Sequence, residues 1–235
     1  MKKQLMTFAL MLIMGTGAAM AQDCCKQGTE KGEKKECCKK EAAEKGCKKE
    51  AAEKGCKKSC EALDVIMTRT SIRKFTDEKV KPCCVEKLLR AAMAAPTAVN
   101  KQPWHFVVVD DKEVLNKLAG EGRRGDMLRN APLAIVVCGD MTKALDGKGQ
   151  EYWIQDTSAA TENLLLAAHA MGLGAVWTGQ WPMENRYPET QRILGMPETI
   201  IPLCTVIIGY PAENPTPKDK WKPENVSYNK FGTQK

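Results

Sequence analysis

The sequence predicts an α+β fold for residues 63–235, preceded by a segment of a different kind. Two observations carry the prediction. Helical and strand periodicities follow each other irregularly, without the steady β-α-β rhythm of a doubly wound sheet. One long helical stretch, Tyr152–Met171, is nearly all apolar from Leu164 to Ala170 and should be buried on most sides. The span also suits one domain of ordinary size with a true core.

The elements follow in chain order. Ala62–Thr68 reads as a short helix. Pro82 opens a second, with Val85, Leu88, Leu89 and Ala92 on one face and a stop before Pro96. Phe106–Val109 is a β-branched run and a buried strand. Asp111–Leu118 suggests a helix, and Ala134–Cys138 a second strand. The long helix ends at Gly172, a natural cap. Ala175–Trp177 is a third strand, Pro188–Leu194 a helix closed by Gly195, and Leu203–Ile208 a fourth strand ended by Gly209-Tyr210-Pro211. Pro215, Pro217 and Pro223 then mark an extended arm with too few apolar residues to fold alone. Cys138 and Cys204 read as small buried strand residues. Cys83-Cys84, at a helix start, should be drawn toward thiolate by the helix dipole.

The first 62 residues differ. Of the formal charge of +7, residues 1–22 supply +2, residues 23–62 supply +3 and the rest only +2. A nucleic-acid binder would concentrate positive charge on the folded domain, so that class is disfavoured. Met1–Ala21 has the layout of a secretory signal peptide: Lys2 and Lys3, the apolar run Leu5–Met14, then Ala19-Met20-Ala21. Cleavage is expected after Ala21 and export to a bacterial periplasm. Gln22-Asp23 separate the small residues from Cys24, which argues against a lipid anchor, and no later apolar run is long enough to span a bilayer.

Residues 22–62 hold seven of the eleven cysteines, and KKEAAEKGC (Lys39–Cys47) is repeated letter for letter at Lys48–Cys56. With no Val, Ile, Phe, Trp or Tyr, the stretch cannot bury enough surface to offset chain entropy and reads as a disordered tether. Its thiols allow three readings: an inert solvated tail, soft-metal capture, or a dithiol relay to the folded domain. The spacing matches no zinc pattern and no histidine is near. An odd total of eleven leaves at least one cysteine unpaired or bonded to another chain.

Candidate chemistry sits in three stretches. Arg69, Ser71 and Arg73 alternate, so an extended backbone would place two guanidiniums and a hydroxyl on one face, suited to phosphate; solvated surface residues would look the same. Pro96–Trp104 is a stiff turn whose Asn100 and Gln102 could read a heterocycle edge or serve only the turn. Gly172–Gly179 has glycines for close backbone approach, yet no G-x-G-x-x-G feeding a helix. His105 abuts Trp104, and His169 in the apolar helix reads as a satisfied core residue. No catalytic triad or metal constellation stands out, which favours chemistry carried by a cofactor.

Together these pieces resemble the nitroreductase family of FMN-dependent oxidoreductases. The matching stretches are RTSIRKF (Arg69–Phe75), PTAVNKQPWHFVVV (Pro96–Val109), YWIQD (Tyr152–Asp156) with the helix Ser158–Trp177, and Ile208-Gly209-Tyr210-Pro211. The resemblance covers roughly residues 63–230. It implies a three-layer sandwich with a central, mainly antiparallel sheet, intertwined as a homodimer with FMN at the subunit interface. By resemblance, Arg69, Thr70 and Ser71 hold the phosphate and ribityl chain, and Arg73 sits near N1 and O2 of the flavin. Pro96, Thr97, Ala98, Asn100 and Gln102 come from the partner subunit, and Trp177, Thr178 and Gly179 lie by the ring. Lys220, with Lys218 as understudy, stands where relatives place a phosphate-binding arginine.

The expected function is an exported FMN oxidoreductase that passes electrons through flavin N5, in alternating half-reactions, to a small planar acceptor such as a nitroaromatic or quinone. NAD(P)H is the family-typical donor. Export to a compartment poor in nicotinamides makes a thiol or another reducing partner a second candidate; a forty-residue tether reaches roughly 35 Å. The alternative is a secreted thiol-rich metal-binding protein with the flavin fold as a passive anchor. No nucleic acid and no membrane span are expected.

Overall fold

Each β-branched stretch becomes a strand and each amphipathic stretch a helix in the computed structural model, which describes residues 61–234. The expectations for the leader, the repeat and the seven N-terminal cysteines lie outside the described residues. In chain order the elements are α1 (Glu61–Thr68), α2 (Pro82–Met93), β1 (Trp104–Val109), α3 (Lys112–Ala119), α4 (Gly122–Arg129), β2 (Leu133–Asp140), α5 (Tyr152–Ala170), β3 (Gly174–Gly179), α6 (Tyr187–Leu194) and β4 (Ile200–Gly209). The strands form one sheet in the order β1-β2-β4-β3, antiparallel throughout.

Period-two alternation divides the core. Leu133, Ile135, Val137, Val206 and Ile208 face α2 and α5, whereas Ala134, Ile207, Val176 and Val109 face Leu115 of α3, Leu128 of α4 and Ile193 of α6. Helices thus cover both faces, giving three layers. The helix α3 opens as its sequence suggests, with Asp111 accepting the Val114 N–H at 3.0 Å.

The helix α4 is absent from the sequence reading. Its segment, GRRGDMLR, holds two glycines and no clear apolar stripe. Tertiary contacts override propensity: Leu128 is fully buried, and a Cβ at Gly125 would fall 2.4 Å from the Gly120 carbonyl oxygen.

The cysteines divide by position. Cys138 and Cys204 are fully buried, and burial pushes the Cys204 thiol up to about 12 and Cys138 up as well. The expectation is corrected for Cys84: its pKa is raised, first by burial and then by Cys83 beside it, against the lowering effect of Lys87 and Lys81.

Candidate active site

The first part of the site is built on the edge strand β3. The helix α1 ends at Thr68, whose hydroxyl donates to the Asp64 carbonyl (2.5 Å) and lies 2.9 Å from His169 Nε2. That hydroxyl has one hydrogen, already given to Asp64, so Nε2 carries the proton toward Thr68. His169 therefore ties α5 to α1, as a satisfied structural histidine should.

Beyond Thr68 the chain runs extended along β3. Ser71 bridges Ala175 in parallel, and the Ile72 N–H donates to the Ala175 carbonyl at 3.1 Å. This approach needs Gly174, where a Cβ would sit 2.6 Å from Ile72 Cγ2. Ile72 turns into the core, Ser71 is half-buried and Arg73 is exposed. Arg73 Nη1 donates to the Ser71 carbonyl at 3.2 Å. Among the described residues no carboxylate pairs with its guanidinium; Glu213 accepts the backbone N–H groups of Arg73 and Lys74 instead. Arg69 differs. Its side chain is mostly covered and pairs with Glu162 of α5 at 3.5 Å. Thr70 lines a cavity of about 300 Å³ with Ile72, His169 and Glu213.

At the far end of β3, Thr178 donates to the Thr205 carbonyl at 2.7 Å. Gly179 is exposed, and a Cβ there would meet nothing within 4 Å. Gln180, which sequence reasoning missed, is fully buried. Its Nε2 donates to Thr205 Oγ1 at 2.9 Å, while its Oε1 has no partner among the described residues. The fold thus brings Ser71 and Ile72 against Ala175 at the start of the strand whose far end carries Trp177, Thr178 and Gly179.

The second part is the turn Pro96–Gln102. Val99, Asn100 and Gln102 have φ of 50°, 55° and 50°, in the left-handed region. For a β-branched residue such as Val99 this costs on the order of 1–2 kcal/mol. Besides its backbone bonds, three hydrogen bonds that involve side chains hold the shape: Ala98 N–H to Asp156 Oδ1 (2.8 Å), Gln102 N–H to Thr97 Oγ1 (3.1 Å) and Gln102 Nε2 to Asn100 Oδ1 (3.0 Å). The two amides expected to read a heterocycle are thus joined to each other. Asp156 is buried on α5; sequence reasoning quoted it within YWIQD but gave it no role, and of the two acids of that helix it is the buried one. No hydrogen bond or ion pair among the described residues links this turn to Arg69–Arg73 or Trp177–Gly179. Lys218 and Lys220 lie exposed in the C-terminal arm, also without such a link.

Comparisons with known proteins show which family the chain resembles. The model described as "Nitroreductase family" matches residues 66–121 and 117–210. A protein of Methanothermobacter thermautotrophicus, provisionally named NADH dehydrogenase/NAD(P)H nitroreductase, is 43% identical over 171 residues, covering 73% of this chain and 88% of the relative. A crystal structure from Parabacteroides distasonis with the same provisional name is 39% identical, with a TM-score of 0.69 over 74% of this chain and 100% of its own. A provisionally named nitroreductase from Desulfovibrio desulfuricans, solved in complex with FMN, is 31% identical with a TM-score of 0.66, covering 74% of this chain and 99% of that one.

Proposed function

The chain belongs to the nitroreductase family and is an FMN-dependent NAD(P)H oxidoreductase, and from that premise we propose that it reduces small planar acceptors, nitroaromatic or quinone, by alternating half-reactions in an exported homodimer. FMN held by Arg69, Ser71 and Arg73 would supply two-electron redox chemistry between the donor and the acceptor.

The observation that carries this reading is the Ser71–Ala175 bridge. It lays the segment of Arg69, Ser71 and Arg73 along the start of β3, the strand at whose other end Gly179 leaves open space for a planar ring. Arg69 and Ser71 hold the phosphate and ribityl chain. Arg73, whose guanidinium has no carboxylate partner among the described residues, stabilises negative charge at the pyrimidine edge of the ring. The turn Pro96–Gln102 reaches a flavin from the partner subunit, since its own chain leaves it apart from the β3 cluster. Apolar surface supports the pairing. The helix α1 buries none of its residues, Leu63, Ile66 and Met67 are more than half exposed, and Val99 is 81% exposed.

The test is the visible spectrum of the purified protein, followed by turnover of a nitroaromatic and a quinone with NADH or NADPH. Flavin absorbance and ping-pong kinetics are expected; a colourless protein that cannot be loaded with FMN overturns the reading. For the exported protein, the thiol-rich segment serves as relay or dock for a reducing partner. Chains starting at Gln22 and Glu61 should turn over alike with NADPH, and only the longer with a dithiol donor. Equal dithiol-driven rates would remove the segment from the mechanism.

A further inference from the structure

A second cluster of cations lies away from Arg69–Arg73. Between the start of α4 and the start of α6 is a cleft of about 550 Å³ whose polar lining includes Arg123, Arg124, Arg186, Asn185, Glu121 and Glu189. Among the described residues none of the three arginines has an ion-pair partner. Arg123 is exposed. Arg124 is half-buried, with the Leu118 carbonyl as its acceptor at 3.3 Å. Burial lowers the pKa of Arg124, and the charge of Arg186 lowers it further, so two guanidiniums crowd each other there. Of the two carboxylates, Glu189 is already taken by Arg192 through hydrogen bonds of 2.9 and 2.6 Å.

Arg124 and Arg186 crowd each other with no ion pair to either among the described residues, although Glu121 also lines the cleft, and a multivalent anion relieves that repulsion. Three guanidiniums, each able to present a planar fork, suit the oxygens of a phosphate. The cleft also communicates with the ring site: Arg186 Nη1 donates to the carbonyl of Gly179 at 3.3 Å. A ligand bridging the two would place a planar group beside Gly179 and a phosphate among the arginines. The pyridine dinucleotide donor has that composition.

We propose that Arg123, Arg124 and Arg186 form the phosphate subsite for the dinucleotide donor. The inference rests on the flavin lying at Trp177–Gly179. It goes beyond that reading by naming the residues that select the donor.

The test uses the full-length holoprotein and the variants Arg123→Gln, Arg186→Gln and their combination. Calorimetric titration with adenosine 2′,5′-bisphosphate and with inorganic pyrophosphate reads binding without turnover. Each single variant should weaken binding about tenfold or more, as loss of a charge-assisted contact does. KM for the donor should rise with kcat nearly unchanged. A rise confined to NADPH assigns the 2′-phosphate, and an equal rise for NADH and NADPH assigns the pyrophosphate. Arg123 makes no hydrogen bond among those described for the fold, so its replacement should leave stability and flavin content unaltered. The proposal is overturned if neither probe binds at millimolar concentration, if the double variant binds both as the native protein does, or if only KM for a carboxylate-bearing acceptor moves. Flavin content is read on the same samples; a colourless protein that binds the probes argues against the flavin reading and for the cleft.

Discussion

Arg69 and Arg73 flank Ser71 at equal spacing but stand in different surroundings, and that difference separates their roles. Arg69 is mostly covered and braced by Glu162, a geometry that fixes a guanidinium for a phosphate. Arg73 is exposed, and among the described residues no carboxylate pairs with its guanidinium. Arg69→Ala should therefore cost about 1.5–3 kcal/mol of FMN binding, read as at least tenfold weaker retention on dilution. Arg73→Ala should keep most of the flavin and make its midpoint potential more negative, because a cation beside the reduced ring is lost. Equal flavin loss in both with an unchanged potential would contradict the division. The alternation itself was legible, since period two is a local property of extended chain. The Arg69–Glu162 pair and the Arg124–Arg186 crowding were not, because each joins residues far apart in sequence and leaves no local mark.

At the scale of elements, α5 shows what an apolar pattern conceals. The stretch reads as a buried helix, and Trp153, Ala160, Leu164 and Ala168 are indeed buried, but so is Asp156. That carboxylate accepts the Ala98 N–H at 2.8 Å and so clamps the left-handed turn to the helix. Asp156→Ala should cost about 1–3 kcal/mol by leaving the N–H unpartnered, with Tm falling by roughly 2–4 °C per kcal/mol and FMN retention falling with it. Asp156→Asn keeps an acceptor and should recover most of both; equal losses in the two variants would show that the hydrogen bond is not what matters. Asp140, at the end of β2, gives a pH dependence. Burial raises its pKa, but the Thr142 hydroxyl, Lys143 and the Thr142 N–H outweigh this and hold it below the usual carboxylate range. A carboxylate depressed in the folded state stabilises fully above its unfolded value, about 3.9, and the contribution is lost as pH falls through the folded one. Asp140→Asn should thus lower Tm at neutral pH, with the gap to the native protein closing below about pH 4. A gap that stays constant in acid would refute the assignment. Strands and long helices were legible from period and β-branching. The short α4 was not, because Gly125 and Leu128 are placed there by contacts with other elements rather than by their neighbours in sequence.

At the scale of the molecule, one chain leaves its two candidate half-sites unjoined. The cluster on β3 and the turn Pro96–Gln102 share no hydrogen bond or ion pair among the described residues, and both expose surface that a folded monomer has no reason to keep. Val99 holds a strained conformation while 81% exposed. The C-terminal arm carries Trp221, 69% exposed, and Phe231, fully exposed. Apolar side chains on an arm with no core of its own gain about 25 cal/mol for each Å² they bury, and only another surface can bury them. The arm was legible in the sequence through its prolines and sparse apolar residues, and a partner to cover it was expected from the same signal. The sequence could not show which surface the arm would meet, because that is set by contacts distant in sequence or in another chain. The expected outcome is a homodimer in sedimentation that carries flavin absorbance at the dimer boundary. Ending the chain after Pro215 removes Trp221, Phe231 and both candidate phosphate lysines while keeping the Ala212–Lys74 hydrogen bond that anchors the base of the arm. In that variant dimer affinity and FMN retention should fall together, since one surface supports both. A shortened chain that dimerises as before, or a native chain that sediments as a flavin-loaded monomer, would show that the site is complete within one subunit.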